Sequence, residues 1–364
     1  MNRFALTSRL LVGLLPLLTV LPLAAQAPTL TATLTRTVTG DFTYVGSMVI
    51  GADGSVLVSQ PSDVRLLLVT AAPEPKVLGR RGAGPNEFQF IQGLGLAGGK
   101  FWAYDAQLQR ITFIEPTGAF GPSQPLEGLA GKPALRGFMS PSLVAVVTPD
   151  SLLVAASAEG TGMLGMIELA ERHFMITGAG QLAMREVARR QAAPNCAVIQ
   201  GNGVSRIGLC TVSSTALRPD GRQLVIADVA FGGKPAITVT STPRSGVKAY
   251  TVTLPFTPRP IPSAARDRSR ALMQKSAPGA ELPPFPEFYD PIAGVIVSAN
   301  GEAWLTMSAP RGQPRTTWRI GTNGKILGKL VMANFTLEAA SGSVLWGTTK
   351  DADELISLVQ YRVK

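Results

Sequence analysis

Six times along the chain an apolar run enters a tight turn and leaves it as a second apolar run, and this repeat limits the fold more than any other feature. The copies read GSMVIGADGSVLVSQ from Gly46, QGLGLAGGKFWAYD from Gln92, SLVAVVTPDSLLVAAS from Ser142, SSTALRPDGRQLVIAD from Ser213, IAGVIVSANGEAWLTMS from Ile292 and FTLEAASGSVLWGTT from Phe335. Each centres on a turn pair: Asp53-Gly54, Gly98-Gly99, Pro149-Asp150, Asp220-Gly221, Asn300-Gly301 or Ser341-Gly342. Asp-Gly and Asn-Gly suit two-residue hairpins, because glycine takes a positive φ without a Cβ clash and Asn or Asp tolerates the left-handed region. Sandwich turns recur every ~8–12 residues; hairpins spaced about 40 to 80 residues apart belong to larger repeating units.

Further strand pairs follow the hairpins: RLLLVTAAPEPKVLG from Arg65, RITFIEPTGAFG from Arg110, ITVTSTPRSGVKAYTVTL from Ile237 and TTWRIGTNGKILGKLVM from Thr316. One unit is therefore four strands. The third unit is less regular, with GMIELAERHFMITG from Gly165 as its expected outer pair, and the sixth ends one strand short at LISLVQYRVK. The missing strand stands at the other end, where TLTATLTRTV from Thr29 alternates polar and apolar residues. The expected fold is all-β, a six-bladed β-propeller closed by pairing of the N-terminal strand with the C-terminal blade.

A length of 364 residues suggests two domains, but ring architectures run longer as one unit. The 45% hydrophobic and 16% charged content, with 38 glycines and 28 prolines, fits a well-buried, turn-rich β protein. Two stretches interrupt the repeat and read as insertions, about 181–195 and about 256–287. AMREVARRQAA in the first is helix-prone; the second holds a Pro-bounded helix and then an extended run, APGAELPPFPEF.

Residues 1–27 read as a signal peptide: Arg3 and Arg9 precede LLVGLLPLLTVLPLAA, and Ala25-Gln26-Ala27 fits a small-x-small cleavage site, although Pro28 shifts the cut nearby. The stretch is shorter than the ~20 residues of a spanning helix and no lipidation Cys follows, so residues 28–364 are expected to form one periplasmic or extracellular monomer without a stable membrane span. In an oxidising compartment Cys196 and Cys210, flanking AVIQGNGVSRIGL, are candidates for a disulfide across a hairpin; two unpaired buried thiols are the alternative. A single His and no CxxC give a zinc or redox site little support.

Removing residues 1–27 takes away Arg3 and Arg9 and no acid, leaving 32 Lys+Arg against 24 Asp+Glu, a net +8. Arg80, Arg81, Arg189, Arg190, Arg259, Arg266, Arg268, Arg270, Arg311 and Arg315 fall in or beside connections that share one propeller face, which favours an anionic glycan or acidic protein as partner. Ordinary solvated charge is the competing account. Nucleic acid is not expected, since no aromatic residues interleave with the basic ones.

The densest motif is GRRGAGPNEF, Gly79 to Phe88, followed by FIQGLGL and FWAYDAQLQRITFI. Through Gly79, Gly82, Gly84, Pro85, Glu87, Phe88, Tyr104, Asp105, Arg110, Ile111 and Phe113, the segment resembles the bacterial six-bladed propellers related to NHL-repeat proteins. It departs from them at Ala83 and Asn86, and the closing VLWGTTKDADELISLVQYRVK is similar to their last blade. The resemblance implies the fold and hardly any activity. Most of the motif reads as structural, with Asp105 and Arg110 capping a loop and pairing across it; Arg80, Arg81, Glu87 and Arg110 are the candidate ligand-binding residues at the channel mouth.

A metal-dependent lactonase-like hydrolase needs carboxylates converging at the channel centre, and only Asp105 and Asp228 occupy equivalent strand ends. A lyase needs a general base, and His173 in AERHFM reads as an exposed outer turn. No GxSxG elbow, phosphate loop or dinucleotide fingerprint is present, so no catalytic residue, metal or cofactor is assigned. The reading is a binding or interaction module, with the hydrolase or lyase propeller as the alternative.

Overall fold

In the computed structural model the six turn-centred hairpins are the leading strand pairs of six four-stranded antiparallel sheets among the described residues. The described residues are 27–126, 138–148, 151–158, 170–177, 183–190, 197–200, 203–206, 213–243, 248–276 and 284–364, with a few single positions between them. β1 (Ala32–Val38) stands ahead of the first sheet, β2 (Met48–Ile50), β3 (Val56–Gln60), β4 (Arg65–Val69) and β5 (Lys76–Leu78). A short parallel pair follows, β6 (Arg80–Arg81) with β7 (Glu87–Phe88). The second sheet is β8 (Ile91–Ala97), β9 (Lys100–Asp105), β10 (Arg110–Ile114) and β11 (Phe120–Pro125); the third is β12 (Phe138–Thr148), β13 (Ser151–Ala158), β14 (Ala170–Thr177) and β15 (Ala183–Arg190). After the hairpin of β16 (Ala197–Gln200) and β17 (Gly203–Arg206) comes the fourth sheet, β18 (Ser214–Leu217), β19 (Gln223–Ala230), β20 (Ala236–Pro243) and β21 (Tyr250–Pro255). Helix α1 (Ser263–Ser276) leads to the fifth sheet, β22 (Ile292–Val297), β23 (Ala303–Met307), β24 (Arg315–Ile320) and β25 (Ile326–Met332). The sixth is β26 (Phe335–Ser341), β27 (Val344–Lys350) and β28 (Ile356–Val363), with β1 as its fourth strand, antiparallel to β28 from Ala32↔Val363 to Val38↔Leu358.

The turn chemistry differs from the two-residue expectation at several hairpins. The N–H groups of Gly54, Gly221 and Gly301 each donate to the carbonyl three residues back, and all three glycines have positive φ. These are type I turns closed by a left-handed glycine, a longer loop in which the Asp side chain also caps the backbone. Asp53 and Asp220 accept the N–H groups of Ser55 and Arg222 at 3.1 and 3.0 Å. The Gly98-Gly99 turn does keep two residues, both at positive φ.

The third unit also departs from expectation. The segment from Gly165 supplies one strand, β14, and the fourth strand is 183–190, within the stretch expected to be a helix-prone insertion. Eight residues of moderate helix propensity cannot outweigh a full ladder to β14 when they stand at a sheet edge, and Arg185 and Glu186 stay exposed there. The hairpin expected between the cysteines is present as β16 and β17, but Cys196 and Cys210 themselves lie outside the described residues. So do residues 1–26.

Apolar layers between consecutive sheets form the core. Period two sends alternate residues of one strand into opposite layers: Val56 and Val58 pack with Trp346 and Leu358 of the sixth sheet, while Leu57, Leu66 and Leu68 pack with Phe101 and Ile114 of the second. Sheets buried on both faces explain why strands such as RLLLV are continuously apolar rather than alternating. Similar layers join the second and third, fourth and fifth, and fifth and sixth sheets. Trp102, Trp304 and Trp346 stand on the second strands of three sheets and are almost fully buried. A half-buried bidentate pair, Arg319 to Glu302 with both bonds at 3.0 Å, sits beneath the turn of the fifth sheet.

The N-terminal segment reaches two sheets. Before β1 joins β28, Leu30 N–H donates to Lys329 O of β25 at 2.8 Å and Lys329 N–H to Pro28 O at 2.9 Å. Gly328 permits this approach: a Cβ there would lie 2.7 Å from Leu30 and 2.8 Å from the Pro28 oxygen.

The 256–287 stretch does contain a helix. The carbonyl of Pro262 accepts the first helical N–H bonds, and α1 is mostly solvated with Met273 as its buried residue. Ile261 N–H to Glu287 O (2.8 Å) and Tyr289 N–H to Arg259 O (2.9 Å) close the excursion at its base. Phe231, from the loop between β19 and β20, stacks on Phe288 at 5.3 Å and meets Phe256 edge-on. Among the described residues no helix is long and apolar enough to cross a membrane.

Candidate functional site

The Gly-rich loop is largely occupied by its own bonds. Asn86 has a positive φ, so it takes the left-handed region in place of a glycine. Glu87 turns back to accept Gly84 N–H at 2.9 Å and meets Arg80 Nε at 2.7 Å. These contacts, that of the Gly84 N–H first and of Arg80 next, hold its carboxyl below the ordinary range. Arg110 donates to the carbonyls of Gly84 (2.8 Å) and Glu87, so its guanidinium braces the loop. Asp105, fully buried, accepts the N–H groups of Gln89, Phe90, Gln107 and Leu108 and is a loop cap; it stands opposite Arg110 in the β9–β10 register, but the two side chains form no ion pair. Arg81 donates to Ser62 O at 3.3 Å, while Arg80 keeps most of its surface in solvent. Asp228 is exposed on β19 and so does not share the buried capping environment of Asp105. His173 lies on β14 rather than in a turn, paired in register with Ala155 and Ala188.

Two clefts flank the loop between β23 and β24. One, of about 460 Å³, lies between the fifth and sixth sheets and gathers Arg311, Arg315, Lys350, Asp351 and Glu354. Its acids are already engaged. Asp351 accepts the N–H groups of Asp353 and Leu355. Glu354 is held at 2.8 Å by Lys350, with Arg311 only at 3.8 Å, and this company keeps its carboxyl below the ordinary range. Arg311 is 98% exposed, and Arg315 is exposed with no ion-pair partner among the described residues. The second cleft, about 410 Å³, holds Arg259 with its guanidinium 4.1 Å from the Tyr289 ring centroid.

A third cavity, about 290 Å³, lies where β2, β8, β18, β22 and β26 meet. Its walls include consecutive residues, 46–50, 295–297 and 338–340, which side chains of period two cannot supply from one face. Strand edges therefore face it, and each of these strands is hydrogen-bonded on one side only within its sheet. Among the described residues lining it, Glu338 is the one that carries a charge. Register slips between Leu337 and Ala339, making Glu338 the extra residue of a β-bulge, while Ala339 packs toward the first sheet and Ala340 toward the fifth. Burial pushes its carboxyl up to about 7. Sequence reasoning missed this group; its signal was the lone charged residue in the hairpin strand FTLEAAS. Among the described residues no group of three or more His, Cys, Asp or Glu could hold a metal ion.

No family model matches the chain, and no curated protein matches it. Solved structures do. A member of the DUF4221 family from Bacteroides vulgatus is 10% identical over 92% of this chain and 98% of its own, with a TM-score of 0.51. A putative gluconolactonase (17% identity, 92% and 93% coverage, TM-score 0.41) and a streptogramin B lyase (12%, 92% and 98%, 0.43) are similar more loosely. Identity this low speaks to the fold and not to activity.

Proposed function

We propose that the six sheets are the blades of one propeller, of the NHL-related kind that the 79–113 segment resembles, closed where β1 completes the sixth blade. Its loop face binds an anionic glycan or acidic protein without bond chemistry. The observation that carries this reading is the cleft between the fifth and sixth sheets, where Arg315 has no ion-pair partner among the described residues and Arg311 is almost fully solvated. Arg80 and Arg81 add exposed charge elsewhere on the loops. A hydrolytic role for Asp105 is disfavoured by its four backbone bonds, which leave its oxygens little capacity to hold a metal. Export by the leader would place the loop face before periplasmic or extracellular glycans and favour a Cys196–Cys210 bridge.

Heparin serves as a test ligand of the acidic-glycan class. Exposed charges are screened beyond about 8 Å at physiological ionic strength, so binding should fall steeply between 0.05 and 0.5 M salt. The Arg311→Ala, Arg315→Ala double variant should weaken binding about tenfold, equivalent to about 1.4 kcal/mol, with an unchanged melting temperature. Arg80→Ala with Arg81→Ala should weaken it less, because Arg80 shares its charge with Glu87. Equal binding by the parent and the Arg311/Arg315 variant, or indifference to salt, overturns the cleft as the site.

A further inference from the structure

The cavity bounded by the leading strands is built for a different ligand from the loop face. Its walls are edge-strand backbone and apolar side chains such as Met48, Leu94, Leu217 and Val295. Among the described residues one carboxylate, Glu338, lines it, and that carboxylate has no hydrogen-bond or ion-pair partner among them. The main chains tighten at one end, where Leu96 N–H donates to Pro219 O at 2.7 Å and ties β8 to the turn after β18.

We propose that this cavity is a binding site for a small organic ammonium ion, with the charged nitrogen on the Glu338 carboxylate and the apolar body against the strand edges. Three features select this chemistry. A single carboxylate supplies one negative charge, which a monovalent cation neutralises, whereas a divalent ion ordinarily calls on several oxygen ligands including more than one carboxylate. The strands lining the cavity present an open edge, whose carbonyl oxygens other than those of Pro219 and Ala340 could accept the remaining N–H bonds of an ammonium group. A volume of about 290 Å³ exceeds what a bare ion fills and suits a compact apolar body with one polar anchor. The bulge strengthens the assignment: a regular strand would direct a side chain at 338 into an interlayer core, and the extra residue instead brings a carboxylate to the cavity. No other charged residue among the described lining competes for the cation.

Benzylamine and its neutral isostere benzyl alcohol test the proposal by calorimetric titration of the full mature chain at pH 8. Benzylamine is expected to saturate a single site and to bind at least tenfold more tightly than benzyl alcohol. Glu338→Gln should remove that preference. Equal affinity for the two probes, absence of benzylamine binding, or an ammonium preference that survives in Glu338→Gln overturns the site. Comparison of the probes on the parent chain decides the question even if the variant folds poorly. Heparin binding is expected to be unaffected by saturating benzylamine, so failure here is separable from failure of the loop-face reading.

Discussion

Deleting residues 29–39, in chains lacking residues 1–27, is expected to lower the melting temperature by about 7 °C. The deletion removes all of β1 and with it the antiparallel ladder to β28, so the outer edge of the sixth sheet is left with unpaired backbone. It strips Val38, 2% exposed, from the layer shared by the sixth and first sheets, and Leu30 and Ala32 from the layer shared by the fifth and sixth. Burying a Val or Leu side chain contributes about 1.5–3 kcal/mol, so Val38 and Leu30 together with the β28 and β25 surface they cover amount to about 5 kcal/mol. With an unfolding entropy of about 2.1 cal/mol/K per residue, a chain of this length shifts by about 1.4 °C per kcal/mol, a loss of about 7 °C. Differential scanning calorimetry of the two chains checks it. A melting temperature within two degrees of the parent means the two ends of the chain are held together by something other than β1.

How much of this is legible in the sequence follows from which interactions are local. Turn glycines, apolar runs and the edge alternation of 29–38 are written in adjacent residues, so the strand pairs are readable and the β1–β28 pairing can be anticipated from a missing strand. The strand at 183–190 is not readable. Ala, Met, Arg and Glu favour a helix when taken alone, and only the partner strand β14 makes the extended state win. The loop motif is readable as structure, since its glycines and Asn86 announce unusual backbone angles. The destination of its charges is not, because Arg110 finds loop carbonyls more than twenty residues away instead of the neighbouring Asp105. Glu338 is hidden for a different reason. One acid in an apolar strand normally signals an exposed face, and only a one-residue slip in register turns it toward a cavity.

That slip gives Glu338 a measurable effect on stability, and its sign is fixed. The carboxyl is raised by burial to about 7 in the folded chain and returns to an ordinary value of about 4.3 on unfolding. Below the unfolded value both states hold the proton and the group is neutral in its effect. As pH rises through the window from about 4.3 to 7, the unfolded chain releases the proton first, so folding stability falls; above 7 the loss is complete and constant. The other described residues lining the cavity from β2, β8, β18 and β22 are uncharged, so no lining partner offsets it. Each pH unit of separation corresponds to about 1.36 kcal/mol, which sets the full effect at about 3–4 kcal/mol. Glu338→Gln keeps the shape and removes the charge, and should come within about half a kcal/mol of the parent at pH 4.5 but exceed it by about 3–4 kcal/mol at pH 8 in urea unfolding. Curves for parent and variant that stay parallel from pH 4.5 to 8 would show a carboxylate already neutralised or solvated. An ammonium ligand bound to the ionised form would return part of that stability at pH 8, so benzylamine should raise the melting temperature of the parent and leave Glu338→Gln where it is.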